Sequence, residues 1–321
     1  MDDVPARANT SPLPLWQHAA WHPHRPALLT TNQAWTFADL AAEAERWAGE
    51  LAVRGLRRGD ILGSWLDASV DAVLALQAAW RIGAAICPFN TRLSEAEFQD
   101  QCARVAPRLL LARAFAPDDP RAQLPPQPGP GGTLAVITDL VPAPLPVALP
   151  RPPENGGIAA DDAGPDDDDP AALLFTSGST GRPKAAVLSH GAMRAHAAAS
   201  ALRLGCMPDD LWLAPLPLFH VGGLAIVVRS ALAGTAIALS ASGRAQDIAA
   251  ALDRWPISLV SLVPTQLRLL LDAWPGPAPR SLRAVLLGGS AADPQLLREA
   301  RARGWPIAAS YGLTEAGSQV A

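Results

Sequence analysis

Short apolar runs alternate with longer helical patterns along most of this chain, and few architectures tolerate that order. Between residues 36 and 51 the apolar positions Phe37, Leu40, Ala44, Trp47 and Leu51 keep a three-to-four spacing, the signature of one helix face. Thr36 stands where a cap is needed, and Gly55 lies just beyond the far end. A run at 61–66 reads as a strand, 69–81 as a helix and 84–86 as a strand. Ser94 and Glu97 form a capping-box pair for a helix reaching Arg104, and 109–111 is a strand again. The order resumes after Pro170, with strands expected at 171–176, 185–188, 211–214, 235–239, 259–263, 284–287 and 307–310. Helices are expected at 192–202, 224–232, 247–255, 264–274 and 293–303. Pro264 suits the first position of its helix, where the missing N–H does no harm. Strands separated by helices of ten or more residues pair in parallel and cover both sheet faces. The expected fold class is therefore α/β, with mainly parallel sheet flanked by helices.

One segment breaks the order. Residues 116–170 are crowded with proline, glycine and aspartate, hold one strand pattern at 134–139, and carry an acidic run at 166–169. They read as a variable surface connection, and the acidic run as a solvated loop. The expected organisation is a first α/β portion at 1–115, this connection, and a second portion at 171–321. A chain of 321 residues can bury a large core. A net charge of −4 offers no basic field for nucleic acid. Cys87, Cys102 and Cys206 are scattered, suggest neither a disulfide framework nor a metal site, and fit a reducing cytoplasm. The opening Met-Asp-Asp-Val-Pro lacks the features of a signal peptide. The most apolar stretch, 224–239, is interrupted by Arg229 and Gly234 and reads as a buried helix and strand, not a membrane span.

The chain's single lysine, Lys184, closes the loop Thr176-Ser177-Gly178-Ser179-Thr180-Gly181-Arg182-Pro183. All other basic side chains are arginine. Gly178 and Gly181 let the backbone approach an anion closely. The hydroxyls and free N–H groups of Thr176, Ser177, Ser179 and Thr180 can donate to phosphate oxygens. Lysine adds a compact, mobile charge that a planar guanidinium does not reproduce. The alternative is a polar surface turn. The P-loop of nucleotide triphosphatases is excluded, because its glycine spacing differs and it runs into a helix, whereas this loop joins two expected strands.

Further polar loops follow expected strand ends, where parallel sheets bind ligands. Gly288-Gly289-Ser290 lets the backbone approach a flat base or acyl group. Ser310-Tyr311-Gly312-Leu313-Thr314-Glu315 brings the chain's single tyrosine as a stacking face, a threonine donor, and a carboxylate suited to Mg²⁺. His220 and Gly222 lie in Leu216-Pro217-Leu218-Phe219-His220-Val221-Gly222-Gly223, where the histidine is either a site residue or a satisfied buried one. His190 reads as part of a helix start, and His22 and His24 as surface residues.

Together these loops resemble the adenylate-forming superfamily of acyl-CoA synthetases, firefly luciferase and peptide-synthetase adenylation domains. The resemblance covers nearly the whole chain and implies two lobes of mainly parallel sheet. It also implies a two-step ligase: a carboxylate attacks the α-phosphate of ATP, and a thiol, usually coenzyme A, then displaces AMP. By resemblance, Ser177 to Lys184 hold the β- and γ-phosphates, Thr180 and Glu315 serve Mg²⁺, and Thr314 contacts the α-phosphate. Tyr311 packs on adenine, with Gly288, Gly289, Ser290, Ser310 and Gly312 around it. His220 and Gly222 border the acyl and pantetheine space.

Within the superfamily the likeness is greatest to o-succinylbenzoate–CoA ligases of menaquinone biosynthesis, on Pro217 to Leu224, Arg229-Ser230, Ser261 to Thr265, Leu287 to Gly289 and Ser318-Gln319. Other aryl acids and fatty acids are the competing substrates. A second carboxylate favours a cation or several donors deep in the pocket. Arg229 and Gln319 are the candidates, although Arg229 would equally suit a solvent-facing or helix-capping role. The family's ribose-binding aspartate, hinge and small lid domain with its lysine lie beyond residue 321. The expectation is a large-domain fragment, weak or inactive alone and poorly soluble, or else a non-catalytic nucleotide-binding remnant. A separate C-terminal domain or a homodimer is its expected protein partner.

Overall fold

A computed structural model describes residues 13–112, 128–129, 132–133, 135–137, 164–176 and 183–320. Two sheets organise them. The first element, α1 (Pro14–Trp21), leads into an antiparallel pair, β1 (Pro26–Leu29) and β2 (Ala34–Thr36). Then α2 (Phe37–Val53), β3 (Ile61–Trp65), α3 (Val70–Ile82), β4 (Ala85–Pro88), α4 (Glu95–Val105) and β5 (Leu109–Ala112) follow. Within the 116–170 connection are β6 (Pro128–Gly129), β7 (Gly132–Thr133) and β8 (Ala135–Ile137), the last pairing in parallel with β5. Thereafter β9 (Pro170–Thr176), β10 (Lys184–Ser189), α5 (His190–Leu204), β11 (Leu211–Ala214) and α6 (Val221–Ala233) lead into β12 (Ala236–Leu239) and α7 (Ala245–Arg254). The chain continues through β13 (Leu259–Leu262), α8 (Pro264–Ala273), β14 (Ala284–Leu287), α9 (Pro294–Ala302) and β15 (Ile307–Ala309), and ends in the hairpin β16 (Gly312–Leu313) and β17 (Ser318–Gln319).

The six-stranded sheet has the order β10-β9-β4-β3-β5-β8, and the seven-stranded sheet β15-β14-β13-β11-β12-β1-β2. Pairing is parallel except at β10–β9 and β1–β2, each at one edge. The sheets do not divide the sequence in two. The early strands β1 and β2 join the seven-stranded sheet, and the later β9 and β10 join the six-stranded one.

Side-chain alternation explains the layers. Along β14, Ala284 and Leu286 face one core while Val285 and Leu287 face another. Along β5, Leu109 and Leu111 enter the first core and Leu110 and Ala112 a third. Successive strand residues point to opposite faces, so each sheet is buried on both sides. The shared core holds α2, α3, α5 and α6 between the sheets; α7, α8 and α9 cover the far face of the larger sheet, and α4 that of the smaller. Both expected caps are present. The Thr36 hydroxyl accepts from Asp39 N at 3.1 Å, and Ser94 accepts from Glu97 N with the carboxylate returning the bond.

The acidic run departs from the solvated loop expected of it. Asp169 pairs with Arg58 and Asp167 with Arg194, and both carboxylates are half-buried. The run is a turn clamped between α5 and the segment before β3. Much of the rest of the connection lies outside the described residues.

Candidate functional site

The loop between β9 and β10 is the turn of an antiparallel hairpin, with Thr176 opposite Lys184 in register. Ser177, Gly178, Ser179, Thr180 and Gly181 lie outside the described residues. At the hairpin's base Thr176 Oγ1 donates to the Lys184 carbonyl at 3.4 Å, and the Lys184 side chain is exposed. β10 packs against the 3-10 turn Thr314–Ala316. The lysine strand and the Thr314–Glu315 pair, 130 residues apart in sequence, are therefore neighbours. Glu315 is exposed and Thr314 half-buried. Among the described residues no group of three or more His, Cys, Asp and Glu could hold a metal. One carboxylate is nevertheless what Mg²⁺ needs when substrate phosphates and water complete its shell.

The turn is held by the β16–β17 hairpin, in which Gly312 pairs with Gln319 and Leu313 with Ser318. A Cβ on Gly312 would lie 2.1 Å from the Ser318 carbonyl oxygen, so the close pairing requires glycine. Tyr311 is 68% exposed and free to meet a ligand. Ser310 N donates to Leu287 O at 2.8 Å, and a Cβ on Gly288 would sit 2.9 Å from Ser310 Oγ. The ends of β14 and β15 thus lie side by side. Gly289 has φ +85°, which favours glycine, and Ser290 is exposed.

His220 is the N-cap of α6, and its carbonyl accepts from Gly223 N at 3.0 Å and Leu224 N at 3.1 Å. A Cβ on Gly223 would fall 2.2 Å from the Pro217 carbonyl oxygen, so the tight approach to the helix needs glycine. The His220 ring packs on Phe219 and reaches the surface. Its pKa is lowered, first by the protein crowded around it and then by the charge of Arg92. Gly222 meets Leu216 on the same turn.

Arg229 neither faces solvent nor caps a helix. It sits within α6, 4% exposed, with its guanidinium 5.3 Å from the Trp212 ring and Nη2 3.2 Å from His196 Nε2. Among the described residues none hydrogen-bonds the buried Nε and Nη1. Burial lowers its pKa to about 10. A desolvated cation–π contact contributes about 2 kcal/mol, whereas an uncompensated buried charge costs several. The guanidinium is thus short of acceptors for two of its three nitrogens among the described residues. Gln319 Nε2 donates to Ser200 Oγ at 3.2 Å, and β17 packs against both α5 and α6. Gln319 follows Glu315 by four positions, so a short stretch of chain links Glu315 to the Arg229 neighbourhood. Trp212 is fixed by an Nε1 bond to Ser261 Oγ at 3.1 Å. A cavity of ≈ 270 Å³ lies against Arg229, walled by Ser200, Trp212, Leu232 and Leu259.

The structure thus brings together Thr176, Lys184, Thr314 and Glu315, and separately Arg229 and Gln319. His196, Ser200, Trp212 and Arg92 were not marked by the sequence. A histidine and a serine four apart in an alanine-rich helix were the one available sign of a polar face on α5.

Residues 15–321 match the family model of the AMP-binding enzyme. The chain is 33% identical over 313 residues to the 2-succinylbenzoate–CoA ligase of Bacillus licheniformis, covering 96% of this chain and 61% of the relative. The corresponding Bacillus pumilus ligase is 30% identical over 300 residues, covering 93% and 57%. In three dimensions it resembles the o-succinylbenzoate CoA synthetase (MenE) of Bacillus subtilis in complex with the acyl-adenylate intermediate OSB-AMP. That likeness has a TM-score of 0.83 and 31% identity, over 97% of this chain and 60% of the other. The same synthetase in complex with ATP and magnesium ion gives a TM-score of 0.82 and 31% identity, covering 97% and 61%. The chain therefore spans about three fifths of the length of these relatives.

Proposed function

Since the chain belongs to the AMP-binding enzyme family, we propose that it carries the phosphate, adenine and acid sites of an ATP-dependent acid–thiol ligase. Its acid is a compact aryl dicarboxylate, 2-succinylbenzoate, and coenzyme A is the thiol. In the first step a carboxylate oxygen bonds to the α-phosphorus of ATP and pyrophosphate leaves. In the second the thiol sulfur bonds to the acyl carbon, its proton goes to solvent or a base, and AMP leaves. The chain's part is positioning and charge neutralisation. Lys184 with Thr176, Ser177, Gly178, Ser179, Thr180 and Gly181 receives the outer phosphates. Thr314 donates to the α-phosphate, and Glu315, with Thr180, holds Mg²⁺, which neutralises phosphate charge. Tyr311 lies on the adenine beside Gly288, Gly289, Ser290, Ser310 and Gly312. His220 and Gly222 border the acyl and thiol space. Arg229 and Gln319 receive the remote carboxylate.

The observation that carries the choice of acid is the buried Arg229 guanidinium with two donor groups unsatisfied. A second carboxylate supplies the missing charge, whereas benzoate and a fatty acid spend their single carboxylate in forming the adenylate. The test is calorimetric titration with non-hydrolysable acyl-adenylate analogues. The succinylbenzoyl compound is expected to bind more tightly than the benzoyl and long-chain compounds. Tighter binding of either of the others would keep the family and overturn the substrate.

A further inference from the structure

We propose that His196 is a positioning residue that fixes Arg229 for the acid. This rests on the reading of Arg229 as the carboxylate receptor. A guanidinium has donors only, so the 3.2 Å contact requires that Arg229 Nη2 donate and His196 Nε2 accept. The ring proton is then on Nδ1, and the ring lies beside the main chain of Gln319, which opposes the lowering of its pKa. The histidine packs against the residue before β17: a Cβ on Gly317 would meet His196 Cβ at 3.4 Å. Burial and the Arg229 charge lower the His196 pKa to about 4, so the ring is neutral at pH 7 and keeps the lone pair that the contact needs.

The arrangement does two things. It occupies Nη2, leaving Nε or Nη1, which point to opposite edges of the guanidinium, for an incoming carboxylate. It also ties Arg229 to a histidine that packs beside β17, the strand that follows the Thr314–Glu315 turn. The acid's remote anchor and the Mg²⁺ ligand are then set by one hairpin. An imidazole does this without introducing a second anion, which would neutralise Arg229 and remove its attraction for substrate.

The experiment compares two non-hydrolysable adenylate analogues, succinylbenzoyl and butanoylbenzoyl, which differ by the terminal carboxylate. The ratio of their dissociation constants is measured for the full chain and for His196→Gln and His196→Leu. Glutamine keeps an acceptor near the imidazole position, and leucine removes it. The unaltered chain is expected to prefer the dicarboxylate, the glutamine variant to retain that preference, and the leucine variant to lose about tenfold of it, the scale of one charge-assisted hydrogen bond. A leucine variant with the full preference overturns the positioning role and leaves Arg229 as the receptor. An unaltered chain with no preference overturns the receptor reading and the role built on it. A second measurement needs no variant. By ¹⁵N NMR at pH 7, His196 Nε2 is expected to be the unprotonated nitrogen, and a protonated Nε2 overturns the proposal.

Discussion

Lys184 was legible because it is alone. A single lysine in a glycine- and hydroxyl-rich loop is a chemical statement that needs no neighbours to interpret. Its exposure and its place at the root of a hairpin leave the ammonium free to follow a ligand. Lys184→Ala should therefore weaken ATP binding about tenfold or more while AMP binding changes little, since the lost partner meets the outer phosphates. Parallel titrations with the two nucleotides check this, and equal losses would remove the assignment. Arg229 was half legible: its type suggested an anion receptor, but nothing in the sequence told a buried guanidinium from an exposed one. Burial is decided by the whole core. His196 was not legible at all, because its meaning depends on Arg229 and on Gln319, 33 and 123 positions away.

At the scale of elements, those with local causes were read well. The strands at 211–214 and 284–287 lie at the expected limits, and the helices capped by Thr36, Ser69, Ser94 and Asp293 begin beside those residues. What escaped was short or long-range. α1, β1 and β2 were not read, and β1 owes its place to β12, more than 200 residues away. The β16–β17 hairpin also passed unseen, because two-residue strands have no pattern. That hairpin nonetheless holds Thr314 and Glu315, and its closeness depends on Gly312. Gly312→Ala should force the pair apart, at a cost of roughly 1–3 kcal/mol. The expected signature is a loss of Mg²⁺-dependent ATP binding larger than any fall in unfolding midpoint would produce. Unchanged ATP binding would show that the hairpin's spacing is immaterial to the site.

For the whole molecule, the alternation correctly implied parallel sheet with helices on both faces, but not which strand joins which sheet. The layered core also carries a pH dependence. His190 is buried against Trp80 where α5 meets β9, and burial lowers its pKa to about 4, with Asp169 opposing the shift and Arg58 adding to it. The unfolded chain takes up this proton near 6.5 and the folded chain only near 4. Stability from this group is complete above about pH 6.5, falls as the pH drops towards 4, and levels below, a total of ~3 kcal/mol. His196 titrates in the same window. Urea midpoints between pH 7 and 4 should fall less steeply in His190→Leu, and an unaltered slope would exclude His190 as a source. The exchange of strands between the sheets has a consequence in time. β1 pairs in parallel with β12, Leu28 beside Ile237. During synthesis at about 5–20 residues per second, the ribosome must add roughly 210 residues after Leu28, so this strand waits about 10–40 s for its neighbour. An apolar strand with only β2 beside it and its other edge open for so long is one that a nascent-chain chaperone would be expected to cover.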